Sequence, residues 1–324
     1  MHSVVRYQFE AIDFGNAPLS DVADVAVDLR GNIHALVRGE YPLLTFDANG
    51  RLLRRWGRKL LANPHGLAVD PRDRLLAVDG ARHVVLGMNP EGHVELCLGT
   101  PGVASDSGTT TGNFKLVRRG AAPFNCPTKV AVGPGGEIFV SDGYGNARVH
   151  RFSAEGRLIA SWGEPGTGPG QFNLPHGIAI DDVGLVYVAD RENERIQVFD
   201  ARGRLQEIWN DIHRPAAICI KDGMVFVAEL GRRMYIDNVL FQPDGTGPYS
   251  QVRIFDRAGI PLCCLGGPDP REPGSFYAAH SICVDGQGSI YVGEVRWPEG
   301  ESPRPLDLRP SLQKFRKMKS LAAG

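Results

Sequence analysis

Short apolar runs separated by clusters of Gly, Pro, Asn and Asp recur along the chain and predict β-strands joined by tight turns. One recurring unit starts with an aromatic or apolar residue, passes through polar residues to a Gly, and continues in an apolar run ending near Trp-Gly. It reads Phe46-Asp47-Ala48-Asn49-Gly50 before Trp56-Gly57, and Phe152-Ser153-Ala154-Glu155-Gly156 before Trp162-Gly163. Phe199–Gly203 before Trp209, and Phe255–Gly259 before Leu265-Gly266, continue the series, with Met88–Gly92 before Leu98-Gly99 as a weaker copy. Asx-Gly turns between alternating runs are hairpin chemistry. A second unit follows each of these: Pro, a variable residue, a small residue, then an apolar–small–apolar run closed by Asp or Gly. Pro64-His65-Gly66-Leu67-Ala68-Val69-Asp70 and Pro175-His176-Gly177-Ile178-Ala179-Ile180-Asp181 are the fullest examples. Pro127–Gly133, Pro215–Ile220, Ala23–Asp28 and Ala279–Asp285 are further copies.

The two units alternate about six times with a period of about 40–50 residues, which predicts an all-β, six-bladed β-propeller with four-stranded antiparallel blades. These patterns resemble the NHL-repeat proteins, and the resemblance covers nearly the whole chain. The last copy runs out after Ser311-Leu312-Gln313-Lys314-Phe315, so the N-terminal run Val4–Phe9 is expected to supply the strand that closes the ring. Pairing the termini removes the open edges of an incomplete ring. Residues 1–324 read as one domain. Three longer connections, about Pro101–Phe124, Gly231–Ser250 and Trp297–Leu308, are expected to be loops over a face.

Charge and composition narrow the function. With 36 Lys and Arg against 37 Asp and Glu, the net charge is −1. That balance lacks the basic excess of a nucleic-acid binder. No apolar run approaches the ~20 residues of a membrane helix, and the first residues lack a signal-like apolar core. Cys97, Cys126, Cys219, Cys263, Cys264 and Cys283 form no CxxC or dense framework, so a reducing cytoplasm is the expected compartment. The expected partner is a small-molecule substrate, without nucleic acid or membrane; the oligomeric state stays open.

Aligning the residue after the Pro, or its equivalent, gives Asp24, His65, Thr128, His176, Ala216 and His280. Histidine stands in the second, fourth and sixth copies alone. On the innermost strand of a six-bladed ring, alternate blades are about 120° apart, so three imidazoles would converge at the channel. Three protein ligands with an open fourth position are the usual arrangement of catalytic zinc. Fe, Mn, Co and Ni also accept imidazole. The ordinary alternative is that Pro-His-Gly merely starts a strand, each His bonding a backbone carbonyl. His34, His83, His93, His150 and His213 follow no such spacing.

Longer phrases carry a more specific resemblance. Ser141–Arg148, Leu174-Pro175-His176-Gly177, Ala189–Gln197, and Trp162-Gly163-Glu164 leading through Gly170-Gln171-Phe172 resemble the peptidyl-α-hydroxyglycine α-amidating lyases. That resemblance implies a propeller with zinc on three histidines, here His65, His176 and His280. It implies cleavage of a small carbinolamide, of the N-acyl-α-hydroxyglycine type, into an amide and glyoxylate. Tyr144 matches the family's catalytic tyrosine, and Arg38 and Arg191 match its active-site arginines. A free tyrosine titrates at ~10, but adjacent cations favour its phenolate, a base for the substrate hydroxyl. An arginine fork suits a carboxylate. The family's Met-Pro-His-Asp is Ala278-Ala279-His280-Ser281 here, which removes an apolar contact and a side-chain ligand to a structural calcium. Gly145 replaces a disulfide cysteine, and no hydroxylating monooxygenase domain accompanies the repeats. Glu229 and Glu294 stand where other copies have Asp79, Asp142 and Asp190, and Glu294 with Arg296 is a candidate substrate-facing cluster. The alternatives left open are a zinc hydrolase, a lactonase or amidase using Tyr144 and Glu294 for proton transfer, and a non-catalytic NHL module binding protein or RNA.

Overall fold

Six innermost strands build the ring: Val22–Val27, Pro64–Val69, Pro127–Val132, Pro175–Ile180, Pro215–Lys221 and Ala279–Val284. They belong to a computed structural model that describes residues 6–19, 21–231, 248–295 and 311–318. Each opens a four-stranded antiparallel sheet, and each packs on the next in chain order until Ala279–Val284 meets Val22–Val27. Among the described residues there is no α-helix.

The sixth blade runs Ala279–Val284, Ile290–Glu294, Leu312–Lys317 and then Tyr7–Glu10. Tyr7 pairs with Lys317 and Glu10 with Lys314, so the N-terminal segment closes the ring as expected. Val4 and Val5 lie outside the described residues. Of the longer connections, residues 101–124 carry a single 3₁₀ turn at Phe114–Leu116. Residues 232–247 and the whole of 297–308 lie outside the described residues.

Burial falls from the axis outward. Val186–Asp190, a second strand, is buried throughout, whereas the outermost Leu52–Trp56 is mostly exposed. Apolar clusters fill the wedges between successive blades, as where Tyr187 and Trp209 of the fourth meet Ile218 and Phe255 of the fifth. The repeated Trp and turn Gly belong to this packing. A side-chain carbon on Gly203 (φ +80°) would lie 2.7 Å from the Trp162 ring, and one on Gly259 (φ +75°) 2.8 Å from Trp209. Each Trp therefore rests on the turn of the following blade, where only Gly combines that backbone with that clearance.

The register corrects one member of the histidine column. Pro64 pairs with Asp79 but Leu67 with Ala77, so the inner strand carries an extra residue, a bulge that re-aims its side chains. In the first blade Val22 pairs with Val37 and Asp24 with Leu36. Val22 therefore corresponds to Pro64, and Ala23, not Asp24, corresponds to His65. The sequence alignment slipped by one because this blade lacks the Pro that marks its start.

The Gly of Pro-His-Gly lies against the backbone of the neighbouring innermost strand. A side-chain carbon on Gly66 would lie 2.6 Å from the Thr128 carbonyl oxygen, and one on Gly177 2.7 Å from that of Ala216. Backbone on the far side cannot swing away as a side chain can. Gly177→Ala is expected to lower stability by about 1–3 kcal/mol, the usual cost of overpacking. Denaturant unfolding compared with Gly286→Ala, where no neighbour lies within 4 Å and the backbone, as at Gly177, is outside the left-handed region, isolates the cost of the close approach. Equal losses would refute the packing account.

Candidate metal centre

Three innermost strands each deliver one histidine to the axis. The residue before each His pairs with an acid on the second strand: Pro64 with Asp79, Pro175 with Asp190, Ala279 with Glu294. Each acid holds the segment that precedes the strand. Asp79 Oδ2 accepts from Ala62 N at 2.7 Å, Asp190 Oδ1 from Asn173 N at 2.7 Å, and Glu294 Oε2 from Tyr277 N at 2.7 Å. The segment leading into each histidine is thus pinned before the bulge turns the side chain inward.

The imidazoles are fixed from their outer edges. His65 Nδ1 lies 2.7 Å from the Thr128 carbonyl, His176 Nδ1 2.7 Å from that of Ala216, and His280 Nδ1 2.8 Å from that of Ala23. A carbonyl only accepts, so each Nδ1 carries the proton and each Nε2 presents a lone pair. Thr128, Ala216 and Ala23 are the odd-blade members of the same column. The ordinary expectation, a His bonded to backbone, therefore holds, and it is what aims the opposite nitrogens at one another. Ring centroids are 4.9, 4.9 and 5.2 Å apart, and the three candidate ligand atoms lie within 4.8 Å of one another.

The surroundings favour the neutral form of all three rings. Burial, followed by the charge of Arg38, pushes His65 down to about 3. Burial also drives His176 and His280 well below the ordinary imidazole range; the next contribution is Arg191 for His176 and His65 for His280. Neutral, buried, preoriented imidazoles with second-sphere carbonyls are a fitting donor set for a borderline metal ion such as zinc.

Tyr144 closes one side of this group. Its hydroxyl lies 3.3 Å from His65 Nε2, 3.4 Å from His176 Nε2, and 3.4 Å from the Arg191 Nη1 that donates to it. The chain around it is crowded. A side-chain carbon on Gly143 would lie 2.3 Å from the Pro175 carbonyl oxygen, and one on Gly145 2.3 Å from Asn125 Oδ1. The 101–124 loop adds support, since Ser107 Oγ donates to the Gly145 carbonyl at 2.5 Å.

Arg191 opens the 3₁₀ turn Arg191–Asn193 and is itself buried. Its Nε donates to Glu192 Oε1 at 2.8 Å, and Arg214 Nη2 donates to the same oxygen at 2.9 Å. Burial works against the Arg191 charge, but Tyr144 and Glu192 outweigh it and hold the guanidinium protonated. Arg38 pairs with Asp21 at 3.4 Å, and its Nε is buried without a partner. Val37 before it pairs with Val22 at the head of an innermost strand, and the Arg38 charge acts against protonation of His65 and His280.

One sequence expectation comes out differently. Glu294 is fully buried and its carboxylate accepts from Tyr277 N and, at 2.9 Å, from Gln313 Nε2. It fastens its blade as Asp79 and Asp190 do, rather than facing a substrate. Arg296 lies outside the described residues. Arg214 was not singled out from the sequence. It stands immediately before the fifth blade's first Pro, a position filled elsewhere by Asp21, Asn63, Cys126, Leu174 and Ala278. A lone cation in that column was the available signal.

Comparison with known proteins bears on the family of the chain. The NHL repeat family matches residues 124–152 and 172–199. Mouse NHL repeat-containing protein 3 is 35% identical over 273 residues, covering 79% of this chain and 75% of that protein. Mouse peptidyl-glycine alpha-amidating monooxygenase is 37% identical over 275 residues, covering 79% of this chain and 25% of its own length. Drosophila melanogaster peptidyl-alpha-hydroxyglycine alpha-amidating lyase 1 is 34% identical over 263 residues, covering 76% and 46%. The chain spans only 25–28% of the first vertebrate amidating monooxygenases it matches. A streptogramin B lyase structure superposes with a TM-score of 0.61 over 98% of this chain and 100% of that one, at 12% identity, a likeness of fold alone. Repeat, ring and relatives together establish that this chain belongs to the NHL-repeat family of β-propellers and resembles the peptidyl-α-hydroxyglycine α-amidating lyases.

Proposed function

We propose that the protein is a metal-dependent lyase that cleaves a small carbinolamide of the N-acyl-α-hydroxyglycine type into a primary amide and glyoxylate. The observation that carries this reading is the Tyr144 hydroxyl, set between two neutral His Nε2 atoms and the Arg191 guanidinium. His65, His176 and His280 would hold the ion, zinc or another imidazole-accepting divalent metal, whose contribution when bound is Lewis-acid polarisation of substrate oxygen.

The chain's own residues account for the rest. Tyr144 Oη, as phenolate, takes the proton of the substrate hydroxyl, and Arg191 Nη1 beside it stabilises the negative charge before transfer. The substrate alkoxide becomes a carbonyl as its carbon–nitrogen bond breaks. The nitrogen leaves with the bonding pair and receives a proton, for which Tyr144 Oη is the donor at hand. Atoms balance without water: one carbinolamide yields one amide and one glyoxylate. Arg191 and Arg38 are suited to the carboxylate that becomes part of glyoxylate. Glu192, shared by Arg191 and Arg214, keeps the Arg191 fork in place.

The hydrolase alternative relied on Glu294 as a second proton-transfer group, and that carboxylate is engaged by Tyr277 and Gln313. Of its two candidates for proton transfer only Tyr144 remains, and the elimination needs no more than that one hydroxyl.

His176→Ala is expected to abolish stoichiometric metal, measured by elemental analysis after reloading, while circular dichroism shows the propeller intact. Metal-replete wild-type protein holding no ion on these residues would remove the basis of the proposal.

Tyr144→Phe keeps the ring and removes only the hydroxyl. Turnover should fall by ~10²-fold or more, the scale of general acid–base catalysis, with metal content unchanged. Wild-type turnover by this variant would make Tyr144 structural.

Metal-replete protein given α-hydroxyhippurate should release glyoxylate and benzamide, identified by mass spectrometry, with no benzoate. Esterifying the substrate carboxylate should raise KM, because the arginine fork loses its bidentate partner. Opening of small lactones without glyoxylate would instead assign the site to a hydrolase.

A further inference from the structure

The residues that follow the histidine column are Asp24, Gly66, Lys129, Gly177, Ala217 and Ser281. Two of them carry opposite charge. Lys129, from the third blade, donates through Nζ to Asp24 Oδ2 of the first blade and, at 3.0 Å, to the Leu67 carbonyl of the second. Asp24 Oδ2 also accepts the Leu67 N–H, and its Oδ1 accepts Val25 N at 2.9 Å. The Asp24 side chain is 2% exposed and that of Lys129 13%. One ammonium and one carboxylate thus bind three blades at the axis.

This pair adjoins the histidines. Leu67 lies two residues beyond His65, and Asp24 follows Ala23, whose carbonyl fixes His280. The pair thus lies within two residues of His65 on one side and of the carbonyl that fixes His280 on the other.

The amidating-lyase resemblance implies a structural calcium, and the residues here do not fit one. Calcium takes about six to eight oxygen ligands and favours carboxylates. Ser281 replaces the aspartate after the last histidine, and its buried hydroxyl has no hydrogen-bond partner. The carboxylate of Asp24 is neutralised by Lys129, and the Leu67 carbonyl is engaged by the same ammonium. A divalent cation beside that ammonium would be repelled at short range.

We infer that Lys129 supplies, as a covalent part of the chain, the cation that braces the axis beneath the histidines, and that the propeller needs no calcium there. A buried carboxylate left alone is far costlier than a pair replaced on both sides. The charge of Lys129 is therefore required for as long as Asp24 keeps its own. The inference concerns the scaffold and does not depend on the reaction proposed above.

Thermal unfolding tests it, with every sample stripped of metal and reloaded with zinc, then measured with and without excess calcium chloride. The wild-type Tm should not respond to calcium. Lys129→Met should lower Tm by about 5–10 °C, the expected result of breaking a buried pair. The double change Asp24→Asn with Lys129→Met should recover much of that loss, and it carries the test if the single variant fails to fold. Lys129→Ala with Ser281→Asp should show a Tm that rises with calcium. A wild-type Tm raised by calcium, or Lys129→Met as stable as wild type, would overturn the inference.

Discussion

The hydrogen bond from an imidazole of one blade to a backbone carbonyl of the next is the interaction on which this molecule's centre depends. It occurs three times, at His65, His176 and His280, and each time the acceptor is the matching residue of an odd-numbered blade. The bond needs the two innermost strands in near contact, which Gly66 and Gly177 permit by having no side chain. It also fixes the tautomer, so three lone pairs converge. Ring geometry and site chemistry are thus set by one contact: the distance that joins the blades also orients the ligands.

Electrostatics around that contact are arranged so that the histidines are the uncharged members of a cationic neighbourhood. Arg38, Arg191 and Lys129 all act against protonation of His65, on top of its burial. Each cation is itself held by an acid: Arg38 by Asp21, Arg191 by Glu192, Lys129 by Asp24. Glu192 serves Arg191 and Arg214 together, which leaves guanidinium capacity in excess of carboxylate beside Tyr144. Such a site favours an anionic partner.

The second-strand acids show how a repeat can mislead about chemistry. Asp79, Asp190 and Glu294 occupy one position and do one task, accepting the backbone N–H of the segment that feeds the inner strand. A glutamate in place of aspartate looks like a functional departure in the sequence. In the ring it is a longer arm performing the same fastening.

The six-bladed plan was legible in the sequence because each blade is a local unit. Its turns, its Trp-Gly packing and its apolar alternation are all encoded within about 40–50 residues and written out repeatedly. The even-blade spacing of His65, His176 and His280 was legible for the same reason, since a symmetric ring converts repeat number into angle. Contacts across the axis were not. The pairing of Lys129 with Asp24, the shared Glu192 between Arg191 and Arg214, and the choice of Ala23 rather than Asp24 beside His280 join residues from different blades. Repeat pattern specifies what each blade contains. Only closure of the ring decides which side chains of separate blades come within a hydrogen bond of one another, because that depends on bulge register and strand approach rather than on any local preference.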